Sequence, residues 1–485
     1  MKRFLLLYLG CLFAIIARAQ TPIVHDFTIQ YNGVTLYYQI TDPVKRYVRF
    51  TSKQAYPTPG YNTLTTFPAR VTNPLTNIEY EVKSFDALFL NSTSQEFRVP
   101  EGVERIEGHP FLFSAFKRLY LPTTLNYIES MGEYFGEKII GLEHTKIEEF
   151  PGGLFNQSYS LKQDWVFPPT LRKIGNKALM YDGITPDTEI TFPASLSEIG
   201  INPWYGTDLS YMPQLKPKYK KATFLNPVPA AIDRTFISTP TPTMADMLGT
   251  EVDRVIVPID ATHAYETHAD WSYFTGKYRE EVKIGASGYA TLYLANENFE
   301  VPTGYEAFVI ENITKATTPG GLDKANAKKF VAGSIIPAGQ AVILKGAANQ
   351  TCVYQANVSG TPVTITDNML VGTATDQTIN AAGYDYYLFG NGALGQGFYR
   401  QTGHDKSSIS LKAHKAGLRV PKGGGGSAKA FVIDFDAADT YVPTGIQSVK
   451  TSQPQSDVIY DLQGRRVTHP TRGIYIMNGK KMVFN

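Results

Sequence analysis

Cysteine is almost missing: the 485 residues contain two. Cys11 falls in an apolar N-terminal stretch, which leaves Cys352 alone in the rest of the chain. One thiol cannot close an intrachain disulfide, and a cysteine metal site is excluded with it. Excess charge of one sign is missing too. Lysine and arginine number 46 against 44 acidic residues, a formal net charge of +2. Such a balance lacks the electrostatic footprint of a nucleic-acid binder. Beyond residue 16 there is no long apolar run, so no transmembrane span is expected.

Catalytic patterns are equally scarce. The eight histidines are scattered singly, so no triad can be assembled. His263 and His268 flank Glu266, but a spacing of five sets their rings about 140° apart on a helix. Zinc proteases use a spacing of four, which brings both rings to one ion. No Gly-x-Ser-x-Gly elbow precedes a helical pattern. The acid pairs Glu148-Glu149 and Glu280-Glu281 are neighbours in sequence, whereas a glycosidase pair faces across a cleft. The glycines after Lys422 are not followed by Lys-Ser/Thr, which fits a hairpin loop better than a phosphate loop. The expectation is a non-enzyme with no cofactor and no metal.

What is present begins with a secretory pattern. Lys2 and Arg3 precede an apolar run from Phe4 to Ile16, and Ala17-Arg18-Ala19 offers a small-x-small cleavage site. Cleavage there removes three basic residues and no acid, taking the net charge to −1. The expected location is therefore secreted or at the outer cell surface. Hydrophobic residues make up 43% and charged residues 19%, which marks a globular chain. Aromatics reach 12% and suit pleated surfaces; a tyrosine-rich binding surface is the functional alternative.

The chain also repeats itself. "EFRVPEGVERIEG", "RLYLPTTLNYIE", "DWVFPPTLRKIG" and "EITFPASLSEIG" share the pattern apolar-x-apolar-Pro-x-x-apolar-x-x-Ile. The apolar residue three after the proline falls at Val103, Leu125, Ile147, Leu171 and Leu196; the third of these copies has His144 in place of proline. Period-two alternation before the proline predicts a short strand with one buried face. Proline, with no N–H to give, must end that strand or sit at an unpaired position. The later apolar pair predicts an inward-pointing turn. One unit cannot bury its own apolar side, so the period predicts a stacked solenoid.

"LYLPTTLNYIES", "FPPTLRKIGNKAL" and "FPASLSEIG" resemble the BspA-like leucine-rich repeat of Bacteroidetes surface proteins, whose common form reads roughly I-P-x-S-V-x-x-I-G-x-x-A-F. The terminal A-F is only partly kept, as in Lys177-Ala178-Leu179 and Gly153-Leu154-Phe155, and the usual cysteine is absent. The segment from His25 resembles the opening of such arrays, and Val252 to Phe274 resembles the closing unit. The resemblance covers about residues 24–280. It implies a leucine-rich-repeat solenoid and adhesion to host or bacterial surface proteins. Capping is expected from Asp26–Tyr80 at one end and from Tyr265, Trp271 and Phe274 at the other. Tyr211 to Pro242 reads as an irregular insertion.

After Glu281 short β-type runs alternate with Gly and Asn turns, predicting an antiparallel sandwich or barrel of seven or more strands. The tail resembles the C-terminal sorting regions of Bacteroidetes secreted proteins through Tyr460 to Arg465 and Gly473-Ile474-Tyr475, with a hairpin turn at Asn478-Gly479. The expected organisation is mainly β: a signal peptide (1–19), an N-terminal β-rich cap (20–90), degenerate leucine-rich repeats with a closing unit (91–281), a β-sandwich-like domain (282–440), and a linker with a sorting-like hairpin tail (441–485).

Within each opening strand, the residue before the last apolar one points away from the core. These are Arg98, Tyr120, Val166, Thr191 and Ile256. They form the predicted binding row for protein partners. A rival reading assigns glycan binding to the β-domain through an aromatic platform of Tyr386, Tyr387 and Phe398, and a third treats the array as a spacer.

Overall fold

A computed structural model describes residues 24–441 apart from 54–60, 90–91, 93, 112–113, 115, 132–136, 155–162, 177, 179–188, 201–219, 234–251, 319–320, 404, 424–429 and 437; beyond 441 it describes four strands between 459 and 484. The signal segment, most of the glycine-rich loop and the Asn478-Gly479 turn lie outside the described residues. The chain divides into two compact units, 1–441 and 442–485.

The repeats stack as a solenoid, and each lays down two strands where one was expected. The opening strands Glu96–Arg98, Arg118–Tyr120 and Lys138–Ile140 pair in parallel. So do Trp165–Val166, Glu189–Phe192, Lys221–Phe224 and Arg254–Ile256. The segment predicted as a turn is a second parallel ladder. Arg105–Ile106 pairs with Tyr127–Ile128, and Glu149–Phe150, Lys173–Ile174, Glu198–Gly200 and Ala231–Asp233 continue the pattern in a second sheet. A two-residue segment has no backbone partner within its own coil. Stacked, it gains one on each side. The register keeps phase throughout: Phe97, Leu119 and Ile139 align, as do Ile190, Ala222 and Val255, and all six are buried.

Three columns fasten coil to coil. The first is of side-chain donors. Thr124 donates to the carbonyl of Val103 (2.6 Å), Thr170 to that of Ile147 (2.7 Å), Ser195 to that of Leu171 (2.6 Å) and Asn226 to that of Leu196 (2.8 Å). This explains the hydroxyl residue just before the apolar one in "PTTL", "PPTL" and "PASL". The second column is aromatic. Phe167, Phe192 and Phe224 follow one another at ring separations of 5.6 and 4.6 Å, and Trp271 closes the run 4.7 Å from Phe224. The third is of glycines. A Cβ on Gly175 would meet the amide nitrogen of Gly152 at 2.6 Å and the carbonyl of Phe150 at 2.8 Å; one on Gly200 would meet the nitrogen of Asn176 at 2.3 Å. Backbone packs on backbone there, and no side chain fits between.

The predicted insertion contains a rung. Lys221–Phe224 pairs in parallel with strands on both sides, and Ala231–Asp233 extends the second ladder. Its sequence, Ala222-x-Phe224 with Asn226 in the donor position, lacks the proline spacing that marked the other copies.

At the start, Asn32-Gly33 links Phe27–Tyr31 to Val34–Asp42 through a two-residue turn with φ of 49° and 78°, the geometry Asn-Gly favours. Tyr47–Thr51 continues this meander, then pairs in parallel with Glu79–Phe85, which leads into the second ladder. At the far end a short helix, Thr262–Thr267, and the 3-10 turn Ser272–Phe274 after it set Tyr265 and Trp271 against the last rungs. Tyr265 donates to the carbonyl of Asn226 and Trp271 to that of Ala230, each at 2.8 Å. Both rings and Phe274 are buried.

The ladder does not stop there. Tyr278–Lys283 pairs in parallel with Arg254–Ile256, and Thr351–Ala356 then pairs antiparallel with Tyr278–Lys283. The halves therefore share one sheet. Its extension faces a ten-stranded, mostly antiparallel sheet across a core of Val282, Phe299, Ile336, Val309 and Leu344. That larger sheet curls until Tyr289–Tyr293 meets Lys415–Pro421: Ala416 donates to Thr291 Oγ1 at 3.1 Å, and Tyr293 to the carbonyl of His414 at 3.2 Å. Sandwich packing on one face and near-closure on the other satisfy both faces of its central strands. The C-terminal unit, expected as a hairpin, is a four-stranded sheet in the order Arg466–Val467, Ile459–Tyr460, Gly473–Met477, Lys480–Phe484.

Two substitutions test this packing by thermal denaturation. Gly175→Ala is expected to cost about 1–3 kcal/mol through overpacking. Ser195→Ala is expected to cost about 1–2 kcal/mol by leaving the carbonyl of Leu171 without its donor. The same change at Ser197, which lies outside the column and is exposed, should cost less.

Candidate functional site

All five predicted positions stand in strand register, in two successive sheets, and four of them reach solvent at least in part. Arg98 and Tyr120 stand in register, followed by half-buried Ile140. Val166, Thr191, Thr223, Ile256 and Arg279 stand in register in the next sheet. Arg98 is exposed, Tyr120 and Thr191 are half-buried, and Val166 is 50% exposed.

Ile256 corrects the expectation: it is only 4% exposed. Outward alternation holds where a solenoid face meets water. Here the sheet runs on into the second half, and Ile256 sits between two cores, with Val255 and Val257 in the first and Ile259 packed on the second. Ile140 and Thr223 belong to the row but were not predicted. Lys138–Ile140 precedes a 3-10 turn, Leu142–His144, that replaces the proline segment, so its strand lies two residues out of step with the repeat spacing. Thr223 lies in the rung taken for an insertion.

The aromatic platform of the glycan reading is also corrected. Tyr386, Tyr387 and Phe398 are 1%, 1% and 0% exposed. Tyr387 stands edge-on to Phe431 at 4.8 Å, Phe398 packs on Phe389 at 5.5 Å, and burial pushes the Tyr387 phenol up to about 12. Tyr386 and Tyr387 lie on Tyr384–Gly392, which has strands on both sides, and Phe398 lies on the paired strand Gly395–Tyr399. Asp385, Tyr386 and Tyr387 are buried in succession, so this stretch is covered on both faces and presents no wet alternate face.

Charged residues line one side of the row. Arg118 pairs with Glu96 at 2.5 Å, and Lys221 with Glu189 at 3.4 Å. The Arg98 guanidinium stacks 3.5 Å above the Tyr120 ring. The second ladder repeats this contact, with Arg105 stacked 3.7 Å over Tyr127. Both contacts join consecutive coils. Exposed ion pairs of this kind stabilise little, and the stacked pairs add about 0.5–1 kcal/mol each. The surface is thus polar and locally satisfied, with Ile140 and Val166 as its apolar members.

Among the described residues no group of three or more His, Cys, Asp or Glu side chains is arranged to hold a metal ion. Cys352 is free and fully buried, and burial pushes its thiol up to about 12. His263 lies on the terminal helix, whereas His268 ends it and its Nδ1 accepts the amide of Asp270 at 3.2 Å. No helix among the described residues is long and apolar enough to cross a membrane.

No family profile and no characterised protein sequence matches the chain. Among solved structures, a leucine-rich repeat protein from Bacteroides ovatus ATCC 8483 is similar over 48% of this chain and 73% of its own, at 16% identity and a TM-score of 0.21. The pneumococcal vaccine antigen PcpA is similar over 47% of this chain and 64% of its own, at 15% identity and a TM-score of 0.26. The solenoid assignment rests on the strand register of the two ladders.

A double-mutant cycle on Arg98→Ala and Tyr120→Ala, measured by urea unfolding, should return a coupling of about 0.5–1 kcal/mol. Zero coupling would mean that the stack adds nothing between coils.

Proposed function

We propose that this is a secreted or cell-surface recognition protein of the BspA-like type, which binds protein partners on host or bacterial surfaces through the outward row of its first strand ladder. One observation supports the reading above the others. Val166 stands half in water, in register with Thr191 and Thr223, on a face where Ile140 is half-buried, Ile256 is buried and the other positions are charged or polar. An apolar side chain set in such a rim is the arrangement that contact surfaces use. In this reading the protein is not an enzyme, and residues 1–19 direct export. The tail beyond 441 serves sorting or surface attachment.

The halves share a sheet, so the test uses the full chain. The mature protein should capture surface proteins from host or bacterial extracts. Val166→Glu should leave the circular dichroism and melting temperature unchanged while weakening capture at least about tenfold, near 1.4 kcal/mol. Capture that survives Val166→Glu and Arg98→Glu together would remove the row from the proposal.

A further inference from the structure

Where the solenoid passes into the second half, two carboxyl groups are buried against each other. Glu280, on the strand Tyr278–Lys283, is 0% exposed; Glu297, in the turn before Phe299, is 2% exposed. Every polar contact of the pair crosses or lines the joint. Glu280 Oε1 accepts the Thr262 hydroxyl at 2.9 Å and the amides of Ala261 and Thr262 at 3.3 and 3.4 Å; its Oε2 accepts the Tyr354 hydroxyl at 2.9 Å. Glu297 Oε1 accepts the amide of His263 at 2.6 Å. From the opposite side, Asp260 accepts the amides of Ala295, Asn296 and Glu297 at 3.0–3.1 Å. The second oxygen of Glu297 is buried without a donor, and the carboxyl of Glu280 lies within hydrogen-bonding reach. Two ionised carboxylates cannot bond to each other, but one proton between them supplies the missing donor.

We propose that Glu280 and Glu297 form a proton-operated latch that fastens the terminal helix of the solenoid to the second half while they share a proton, and loosens it when that proton leaves to solvent.

The surroundings offer no other compensation. Among the described residues neither carboxylate ion-pairs with lysine or arginine. The titratable groups turned toward the pair are Asp260 and Tyr354, neither of them cationic; His263 meets Glu297 through its backbone amide while the residue itself is exposed. Burial, and then the neighbouring Glu280 charge, hold the Glu297 carboxyl well above the ordinary carboxylate range, and burial raises Glu280 too. The folded joint therefore binds more protons than the open one. Stability falls with rising pH wherever that holds. The latch is complete below the ordinary carboxylate value of about 4.3 and is lost as pH rises through the elevated folded value of Glu297. Nearby Arg279, lowered by burial and by Arg254, and the carboxylates Glu266 and Glu300 set the field at the rim.

Hydrogen exchange on the full-length mature protein tests this at the amides of Ala261, Thr262 and His263. After correction for intrinsic rates, opening at these amides should rise at least about tenfold between roughly pH 5 and pH 9. The amide of Asn126, paired coil to coil with Glu104 far from the joint, should show no such rise. Glu297→Gln keeps the acceptor for His263 and places a permanent donor toward Glu280, so its exchange should be flat with pH. Glu266→Gln, half-buried on the same helix, removes a carboxylate but keeps an oxygen for Asn357 across the joint, and should keep the wild-type profile. Equal pH profiles at the joint and at Asn126 in the wild type, or an unchanged rise in Glu297→Gln, would overturn the latch.

Discussion

No coil of this solenoid can satisfy itself. Its strands are two to four residues long, and their amides and carbonyls find partners only in the coils above and below. Buried backbone groups left unpaired are costly, so every coil depends on its neighbours. The Thr-Thr-Ser-Asn column, the phenylalanine run and the glycine contacts answer the same demand. Each removes an unpaired carbonyl, an apolar gap or a steric obstacle at one fixed distance between coils. Spacing is therefore the constant quantity along the array, while composition varies.

That dependence shapes the surface and the ends. Side chains outside the coils lie about one strand spacing apart, which places Arg98 over Tyr120 and Arg105 over Tyr127. The outer rows are thus knit together from coil to coil. At the start, an antiparallel meander protects the first coils. At the other end the exposed edge is covered by continuing the sheet into a second core. This junction brings Ile256 inside and encloses Glu280 and Glu297 together.

The repeat pattern made the solenoid legible, because a period-two strand ended by proline can be seen in one copy and confirmed in the next. The same pattern missed the rung at Lys221–Phe224, where Asn226-Pro227 stands in for the usual proline segment. It read the x-Ile segments as turns, since their pairing partners lie more than twenty residues away. Four of the five row residues could be chosen from alternation alone. Ile256 could not, because exposure at the last rung depends on the strand and core packed beyond it. Tyr386, Tyr387 and Phe398 failed for a related reason: alternation predicts one wet face, and the stretches that carry these rings are covered on both.

The sequence by itself determined that the chain is β-rich, repetitive and held together without disulfides, because alternation, proline placement and the cysteine count act locally. Tertiary structure alone decided which outward positions stay in water, where the array meets its second core, and that two distant glutamates share one dry site. Those outcomes depend on burial, and burial belongs to the assembled neighbours of a residue and not to the residue itself.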